Sequence, residues 1–373
     1  MITKSVSAGD QTAPPERRPR GTVSGSPYLR RATCSPPSRA GAGVTLALLV
    51  VVVLAVAFDY INGFHDTATA IATSVATRAL RPIHAVAMAA AFNFIGAFAG
   101  TAVAVTIGSG LVDSQTTTQA VVAAALIGAI TWNLITWRLG IPSSSSHALI
   151  GGLVGATVVA AGTGAVNWNG VVTKVLVPGV ASLLLGFAAA FGLMIALFWI
   201  FRNAARRPLG RLFQRLQVFS AGFVAFSHGS NDAQKTMGII TLALFSAGVI
   251  DTVAVPTWVI VLSATAMSLG TAVGGWRIMK TMGHRVADLE PIHGFAAQTT
   301  AATVILGAAH FGMPVSTTHV MSSAIMGVGT SKGRHGVRWG VARSIGVAWI
   351  VTIPAATLVG AFSWLVLNAF GVS

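Results

Sequence analysis

Long apolar stretches separated by short polar or basic breaks make up the chain from Val44 onward. An apolar run of about 20 residues is long enough to cross a membrane as a helix. Such runs lie at residues 44–62, 83–107, 119–137, 175–201, 257–275 and 339–370, with shorter and interrupted helices between them. The length of the chain leaves room for about 10 to 12 transmembrane segments. The pattern therefore predicts an all-α polytopic membrane protein embedded in the lipid bilayer.

The first 43 residues have a different pattern. Six of the 14 prolines lie there, and the stretch is poor in aliphatic residues. Its seven basic and two acidic residues give it a charge of +5. A segment with so few apolar residues cannot bury enough surface to fold. We therefore predict that residues 1–43 form a disordered basic N-terminal tail.

Composition narrows the function classes. Only 9% of the residues are charged and 54% are hydrophobic, whereas a soluble domain carries about 25% charged residues. This excludes a soluble enzyme, and it excludes a nucleic-acid-binding protein despite the net charge of +15. Cys34 is the single cysteine, so an intrachain disulfide and a thiolate metal cluster are excluded as well.

The basic breaks predict the topology. The stretch from Arg202 to Arg215 contains five Arg and no acid, and loops of this kind lie in the cytoplasm by the positive-inside rule. We predict a first transmembrane repeat over residues 44–201, a basic cytoplasmic linker over residues 202–216 and a second transmembrane repeat over residues 217–373.

Two motifs occur twice in the same order. NGFHD at residues 62–66 recurs as HGSND at residues 228–232, and GIPSSSSH at residues 140–147 recurs as GMPVSTTH at residues 312–319. The offsets, 166 and 172 residues, are nearly equal. Such self-similarity indicates an internal duplication. Because polar breaks at matched positions of two halves mark the binding site of repeat-built transporters, we predict broken or re-entrant helices at both motifs.

The repeated residues predict an anion site that also takes up cations. Asp66 and Asp232 lie between apolar runs, and a carboxylate inside the membrane is a functional candidate. The Ser and Thr residues of the second motif would lie at helix N-termini, which bind phosphate-like oxyanions. A structural ion pair for the acids and simple N-capping for the hydroxyls are the alternative interpretations. A divalent oxyanion beside two carboxylates would bring a charge of about −4 into a low dielectric. Coupled symport with protons, sodium or a divalent metal follows from that charge balance.

The segments NGFHDTATAIATSVATRAL (62–80) and HGSNDAQKTMGII (228–240), with PSSSSH and PVSTTH, closely resemble the inorganic phosphate transporter (PiT) family, in particular its bacterial low-affinity Pit branch. The resemblance covers residues 44–373. It implies two inverted repeats, a homodimer, and transport of inorganic phosphate with sodium or protons. For the bacterial branch it implies that a neutral metal–phosphate complex moves with protons.

The resemblance also implies which residues bind phosphate and ions. These are Asp66, Thr67, Asn231, Asp232, Ser144, Ser145, Ser146, Ser316, Thr317 and Thr318.

Several positions depart from the GANDxANA pattern of the family and bear on the coupling ion. His65 and Thr69 replace its two Asn residues in the first repeat, Gln234-Lys235 replaces an Ala-Asn pair in the second, and Gln298 stands where many members have an acid. Fewer oxygen ligands for sodium, together with His65 beside Asp66, favour proton coupling. We therefore name His65, Lys235 and Gln298 as candidate coupling or charge-balancing residues.

The leading hypothesis is a transporter of the cell membrane that imports phosphate by proton symport. It needs no cofactor and no dedicated metal site; a divalent metal would travel bound to the phosphate. Sodium-coupled symport, a sulfate permease on the same scaffold and an ion channel remain the alternatives. An intramembrane hydrolase would need one asymmetric nucleophile–base pair, whereas both motifs here are duplicated.

Other polar residues carry weaker expectations. Asp59 precedes Asp66 by seven residues, so it either shares the helix face of Asp66 or sits at an interface. His147 and His319 close the two polar breaks and are expected to hold local structure. The histidines near basic loops are expected to be solvated: His284, His293 and His335.

Overall fold

The computed structural model describes residues 45–372, and the predicted basic tail at residues 1–43 lies outside the described residues. The described part of the chain is helical almost throughout, and its β-structure is limited to two isolated bridges. This is the all-α polytopic architecture predicted from the hydropathy pattern.

Twelve helices of at least eight residues build the described chain, six in each half. The first half contains α1 (Leu46–Ala76), α2 (Pro82–Gly96), α3 (Ala102–Ser109), α4 (Gln119–Leu139), α5 (Ser145–Ala161) and α6 (Trp168–Ile200). The second half contains α7 (Arg206–Ser246), α8 (Thr257–Val273), α9 (Trp276–Arg285), α10 (Pro291–His310), α11 (Thr317–Thr330) and α12 (Trp339–Ala369).

The two halves have the same order of elements. Each isolated bridge joins the segment before the fourth helix of its half to the segment before the sixth helix, as Val112 with Val166 and as Ala287 with Val337. The internal duplication seen in the motifs therefore extends to the whole described chain. The inversion of one repeat relative to the membrane stays a prediction.

The halves exchange their packing partners. Helix α5 packs against α12, and its counterpart α11 packs against α6. Likewise α1 packs against α8, and its counterpart α7 packs against α2. Exchanging the two halves leaves this pattern unchanged, which is the property of a two-fold relationship. The helices therefore form one bundle in which each half completes the other.

Four helices are long and apolar enough to cross a membrane, namely α1, α4, α6 and α12. A fifth span results if α8 and α9, which meet at an angle of 58°, are taken as one broken span. The other helices are shorter or, like α7, more polar. The count of about 10 to 12 segments stays a prediction, because it includes such helices.

The first motif does not break its helices, and this part of the prediction is wrong. Helix α1 runs unbroken through residues 62–66, and α7 runs unbroken through residues 228–232. Neither motif contains a proline, and the buried polar side chains are satisfied by other helices. Helix α7 also begins at Arg206, so most of the predicted linker at residues 202–216 is helical.

The second motif does break the helix in both halves, as predicted. Helix α4 ends before Gly140, whose φ of +68° closes the helix in the left-handed region, and α10 is followed by Gly312 with φ +66°. Glycine adopts this conformation without the steric cost of a side chain. The chain then crosses a proline and starts a new helix at Ser145 or Thr317.

The glycine of the first motif allows close helix packing. A Cβ atom added at Gly63 would lie 2.3 Å from the carbonyl oxygen of Met267 on α8. At the matched position Gly229, it would lie 2.2 Å from the carbonyl oxygen of Asn93 on α2. Small residues at such crossings let two backbones approach. These two contacts hold the polar segments of α1 and α7 in the middle of the bundle.

The polar segment of α1 lies between two apolar clusters. One cluster includes Leu48, Val51, Ala55 and Phe58, and the other includes Ala68, Ala70, Ile71 and Ala72. Residues 59–67 therefore occupy the central part of the helix, with apolar packing towards both ends.

Replacing Gly229 by alanine is expected to destabilise the protein by about 1–3 kcal/mol, because the new methyl group collides with the backbone of α2. The midpoint of thermal unfolding in detergent measures the effect. Gly192→Ala is the matched control, since nothing lies within 4 Å of a Cβ atom at Gly192 in α6. Equal unfolding midpoints for the two variants would contradict the close packing.

Candidate functional site

The two motif acids meet inside the bundle, one from α1 and one from α7. One side-chain atom each of Asp66, His228 and Asp232 lies within 4.8 Å of the others. All three residues are buried. Acids that are 166 residues apart in the sequence thus form a single polar centre.

Asp66 is bonded to both helix breaks. Its Oδ1 accepts a hydrogen bond from the hydroxyl of Thr318 at 3.1 Å, and its Oδ2 accepts one from Ser145 at 3.0 Å. Ser145 belongs to the first turn of α5 and Thr318 to the first turn of α11. The carboxylate therefore ties the breaks of the two halves together.

His65 connects Asp66 to a further polar chain. Its Nδ1 lies 2.7 Å from Oδ1 of Asp66, and its Nε2 lies 3.0 Å from the hydroxyl of Thr136. Ser143 donates to the same hydroxyl at 2.8 Å. Both ring nitrogens are thus engaged, and the network runs from Asp66 to the end of α4 and the break that follows it.

Asp232 is held by groups of its own helix and by α11. The ammonium of Lys235 donates to its Oδ1, Nε2 of His228 lies 3.3 Å from its Oδ2, and the hydroxyl of Thr317 donates to Oδ2 at 3.2 Å. Residues three and four positions apart lie on one face of a helix. Thr317 is the counterpart of Ser145, so each acid accepts a hydrogen bond from the break of its own half.

Lys235 is a buried cation that uses all three of its donors. Its ammonium donates to Asp232, to the hydroxyl of Ser146 and, at 3.1 Å, to the carbonyl oxygen of Val315. An ammonium has three N–H groups and no acceptor. Lys235 therefore neutralises Asp232 and joins α7 to both breaks, as one of its two sequence-based interpretations expects.

The starts of α5 and α11 point their donors at this centre. Ser144 and Ser316 are the N-caps, since their hydroxyls accept hydrogen bonds from the backbone N–H groups of His147 at 3.1 Å and His319 at 3.2 Å. These two predicted binding residues therefore cap helices in this structure. The partial positive charge of a helix N-terminus favours an anion, and two such termini converge on the acids.

Not every predicted residue joins the acids. Thr67 donates to the carbonyl oxygen of Gly63 and, at 3.4 Å, to that of Thr271, so it packs against α8. Gln298 donates to the carbonyl oxygen of Ala70 at 3.0 Å and accepts from Ser220 at 2.9 Å, which places it in a tie between helices. Its hydrogen bonds do not involve either acid.

Asn231 lies at the edge of the centre. Its amide donates to the carbonyl oxygen of Met313 in the second break at 3.3 Å. Its Oδ1 is buried and has no hydrogen-bond partner among the described residues. The amide oxygen is thus an unused acceptor beside Asp232.

The sequence analysis missed the role of His228. Its Nδ1 lies 3.1 Å from the amide oxygen of Asn93, and Asn93 donates to Thr271 at 2.8 Å. The spacing of four residues between His228 and Asp232 was the available signal, because it places both on one helix face. Asn93 carried no signal that it would meet α7.

The other histidines divide differently from the prediction. His284 and His335 are exposed, as expected, but His293 is buried at the start of α10. There its side chain accepts from the backbone N–H group of Glu290, which forms a capping box. The rings of His147 and His319 are buried and lie 4.7 Å apart, edge to face.

The sequence model of the Phosphate transporter family matches the chain twice, over residues 62–210 and 201–360. A relative from Mycobacterium tuberculosis (strain H37Rv), named "Probable low-affinity inorganic phosphate transporter", is 52% identical over 87% of this chain and 78% of the relative. A Bacillus subtilis relative with the same name is 46% identical over 86% of this chain and 97% of the relative.

A solved structure is also similar. It is titled "The sodium-dependent phosphate transporter", with a TM-score of 0.80 and 26% sequence identity, and the match covers 87% of this chain and all of that one. The fold, the duplicated motifs and the matches to both halves lead to one conclusion: this chain belongs to the phosphate transporter family.

Proposed function

We propose that this protein is a secondary active transporter that imports inorganic phosphate in symport with protons. It is a multi-pass membrane protein of the phosphate transporter family, and not an enzyme. The observation that carries the proposal is the buried contact of Asp66 and Asp232 with hydroxyls at the starts of α5 and α11. The coupling to protons rests on the charges around these acids.

The donors around the acids suit a phosphate oxyanion. Hydroxyl and backbone N–H groups at a helix N-terminus bind phosphate-like anions. In this conformation Ser145, Thr317 and Thr318 donate to the carboxylates instead. A carboxyl group that gains a proton needs fewer donors, so these hydroxyls can then turn to phosphate oxygens. Proton uptake and phosphate binding thereby favour each other.

The charges of the centre require a cation to accompany phosphate. Two carboxylates against one ammonium leave a negative charge before the substrate arrives. A buried charge without a partner is prohibitively costly. Protons on the carboxyl groups lower that cost, and a neutral complex of phosphate with a divalent metal lowers it further. In that form the metal is cargo and needs no site of its own.

Lys235 supports protons over sodium as the coupling ion. Its ammonium occupies the position beside Asp232 that a bound metal cation would take, with oxygen neighbours from Asp232, Ser146 and Val315. Hard cations select such oxygen ligands, and here a side chain of the protein supplies the positive charge. His65, bonded to Asp66 at 2.7 Å, adds a group whose unperturbed titration lies near neutral pH.

The resemblance to the family also supports assembly as a homodimer. The mass of the purified protein–detergent complex, measured by light scattering and corrected for bound detergent, tests this part of the proposal.

The coupling ion is tested by uptake of labelled phosphate into proteoliposomes. Uptake is expected to persist when choline replaces sodium and to fall to background when a protonophore collapses the pH gradient. A strict sodium requirement would overturn proton coupling. Labelled sulfate that enters faster than phosphate would overturn the substrate, and current down a phosphate gradient without proton movement would indicate a channel.

Removing either motif acid is expected to abolish transport. Asp66→Asn and Asp232→Asn keep the side-chain shape but cannot exchange a proton, so phosphate uptake should fall to the level of vesicles without protein. Asp113→Asn is the control, because Asp113 is an exposed acid in the loop before α4. The amount of inserted protein is measured in parallel, and near-normal uptake by both buried variants would refute the site.

Removing the buried cation is expected to destabilise the fold. Lys235→Met leaves Asp232 without its counter-charge, and breaking a buried pair in this way costs about 3–5 kcal/mol. The double variant Lys235→Met/Asp232→Asn should regain most of that loss, because neither charge is left alone. Unfolding midpoints in detergent check both, with Lys174→Met as the exposed control. A double variant no more stable than Lys235→Met would contradict the pairing.

A further inference from the structure

A third acid lies inside the bundle and takes no part in the network described above. Asp59 is on α1, seven residues before Asp66, and its exposed fraction is 0%. Both of its carboxylate oxygens lack a hydrogen-bond partner among the described residues. Asp66 and Asp232, in contrast, have three polar partners each. Asp59 is therefore buried and unsatisfied.

Asp59 also departs from the internal duplication. With the offset of 166 residues, its counterpart on α7 is Ala225. An alanine fills the matched position without polar atoms, so the helix packing does not itself require an acid there. The carboxyl group has a different reason to be present in the first half.

The neighbours of Asp59 offer acceptors and no free donor cation. Asn62 on α1 and Thr236 on α7 flank it, and the amide oxygen of Asn62 and the hydroxyl of Thr236 are also buried without partners. The charged groups that act on Asp59 are Asp232 and Lys235, both on α7. All three donors of Lys235 are already used, so its ammonium does not pair with Asp59.

One proton resolves this arrangement. An isolated carboxylate in a dry interior is far less stable than the neutral acid, and ionisable residues within the membrane mark proton pathways. A protonated Asp59 becomes a donor, and Asn62 and Thr236 offer it unpaired acceptors. A single O–H group thus removes the charge and satisfies an orphaned oxygen.

We infer that Asp59 is a second proton-binding residue of the transport cycle and carries a co-transported proton in this conformation. The O–H bond of Asp59 forms with a proton from the outer aqueous phase and breaks when the site opens to the inner one. Thr236 directly follows Lys235 on α7, so movement of the phosphate-binding centre changes the surroundings of Asp59. The inference rests on the proposed proton symport.

The test compares proton coupling with substrate exchange in Asp59→Asn. In proteoliposomes at zero membrane potential, one coupled proton and a pH difference of one unit give about tenfold accumulation. The variant is expected to lose one proton per phosphate, so its pH-driven accumulation falls about tenfold while phosphate–phosphate exchange stays within about threefold of the unmutated protein. Asp113→Asn should retain both properties.

A second measurement reads the proton directly. The infrared spectrum of the protein in lipid should contain a protonated-carboxyl band that shifts in deuterium oxide, that Asp59→Asn removes and that Asp113→Asn keeps. If Asp59→Asn does not fold, Asp59→Ala takes its place, since alanine occupies the counterpart position at Ala225. Both readouts then apply unchanged.

The outcomes separate this inference from the proposed function. If the unmutated protein shows no accumulation driven by a pH gradient, proton symport fails for every variant and the role of Asp59 fails with it. If the unmutated protein couples to protons and Asp59→Asn keeps the same proton-to-phosphate ratio, the role of Asp59 alone is overturned. A sodium-dependent loss of the carboxyl band would overturn it too, because the site would then bind a metal cation.

Discussion

The cost of holding charge in a dry interior governs the centre of this protein. Two carboxylates and one ammonium lie among helices whose ends are packed by apolar clusters, and water is not there to solvate them. Each charge therefore needs partners from the chain. The two helix breaks supply them, because a helix that starts inside the bundle presents hydroxyl and N–H donors where a continuous helix presents only side chains. Gly63 and Gly229 bring the acid-bearing helices close enough to reach those donors.

The sequence was sufficient for the helical architecture, the duplication and the breaks after Gly140 and Gly312, because hydropathy, repeats and proline act locally. It was misleading at NGFHD and HGSND, where polar residues that resemble a break lie within continuous helices. Their hydrogen bonds come from helices distant in the chain, so local propensity could not reveal them. The same limit explains why His228 and Asn93 were missed and why Thr67 and Gln298 were placed with the acids. The pairing of Lys235 with Asp232 was accessible, since it depends only on helical spacing.

The two halves share an architecture but not their charges. The first half sets a histidine beside its motif acid, and the second sets a lysine one turn after its own. Asp59 has alanine as its counterpart, which adds a further difference. A symmetric scaffold can adopt two mirrored arrangements of nearly equal energy, which is what movement between two openings requires. Unequal charges then bias each arrangement differently, so proton and phosphate binding can shift the balance between them.

The exchange of partners between the halves has a consequence for how the protein is made. Helix α5 packs against α12, the last helix of the chain. During synthesis the first half therefore inserts into the bilayer with one of its main contact surfaces uncovered, and it stays so until the C-terminal helix emerges from the ribosome. Contacts between segments so far apart in the chain form late. A chain that stops before Trp339 would leave α5 facing lipid, so the membrane quality-control machinery has a simple signal by which to recognise an unfinished copy.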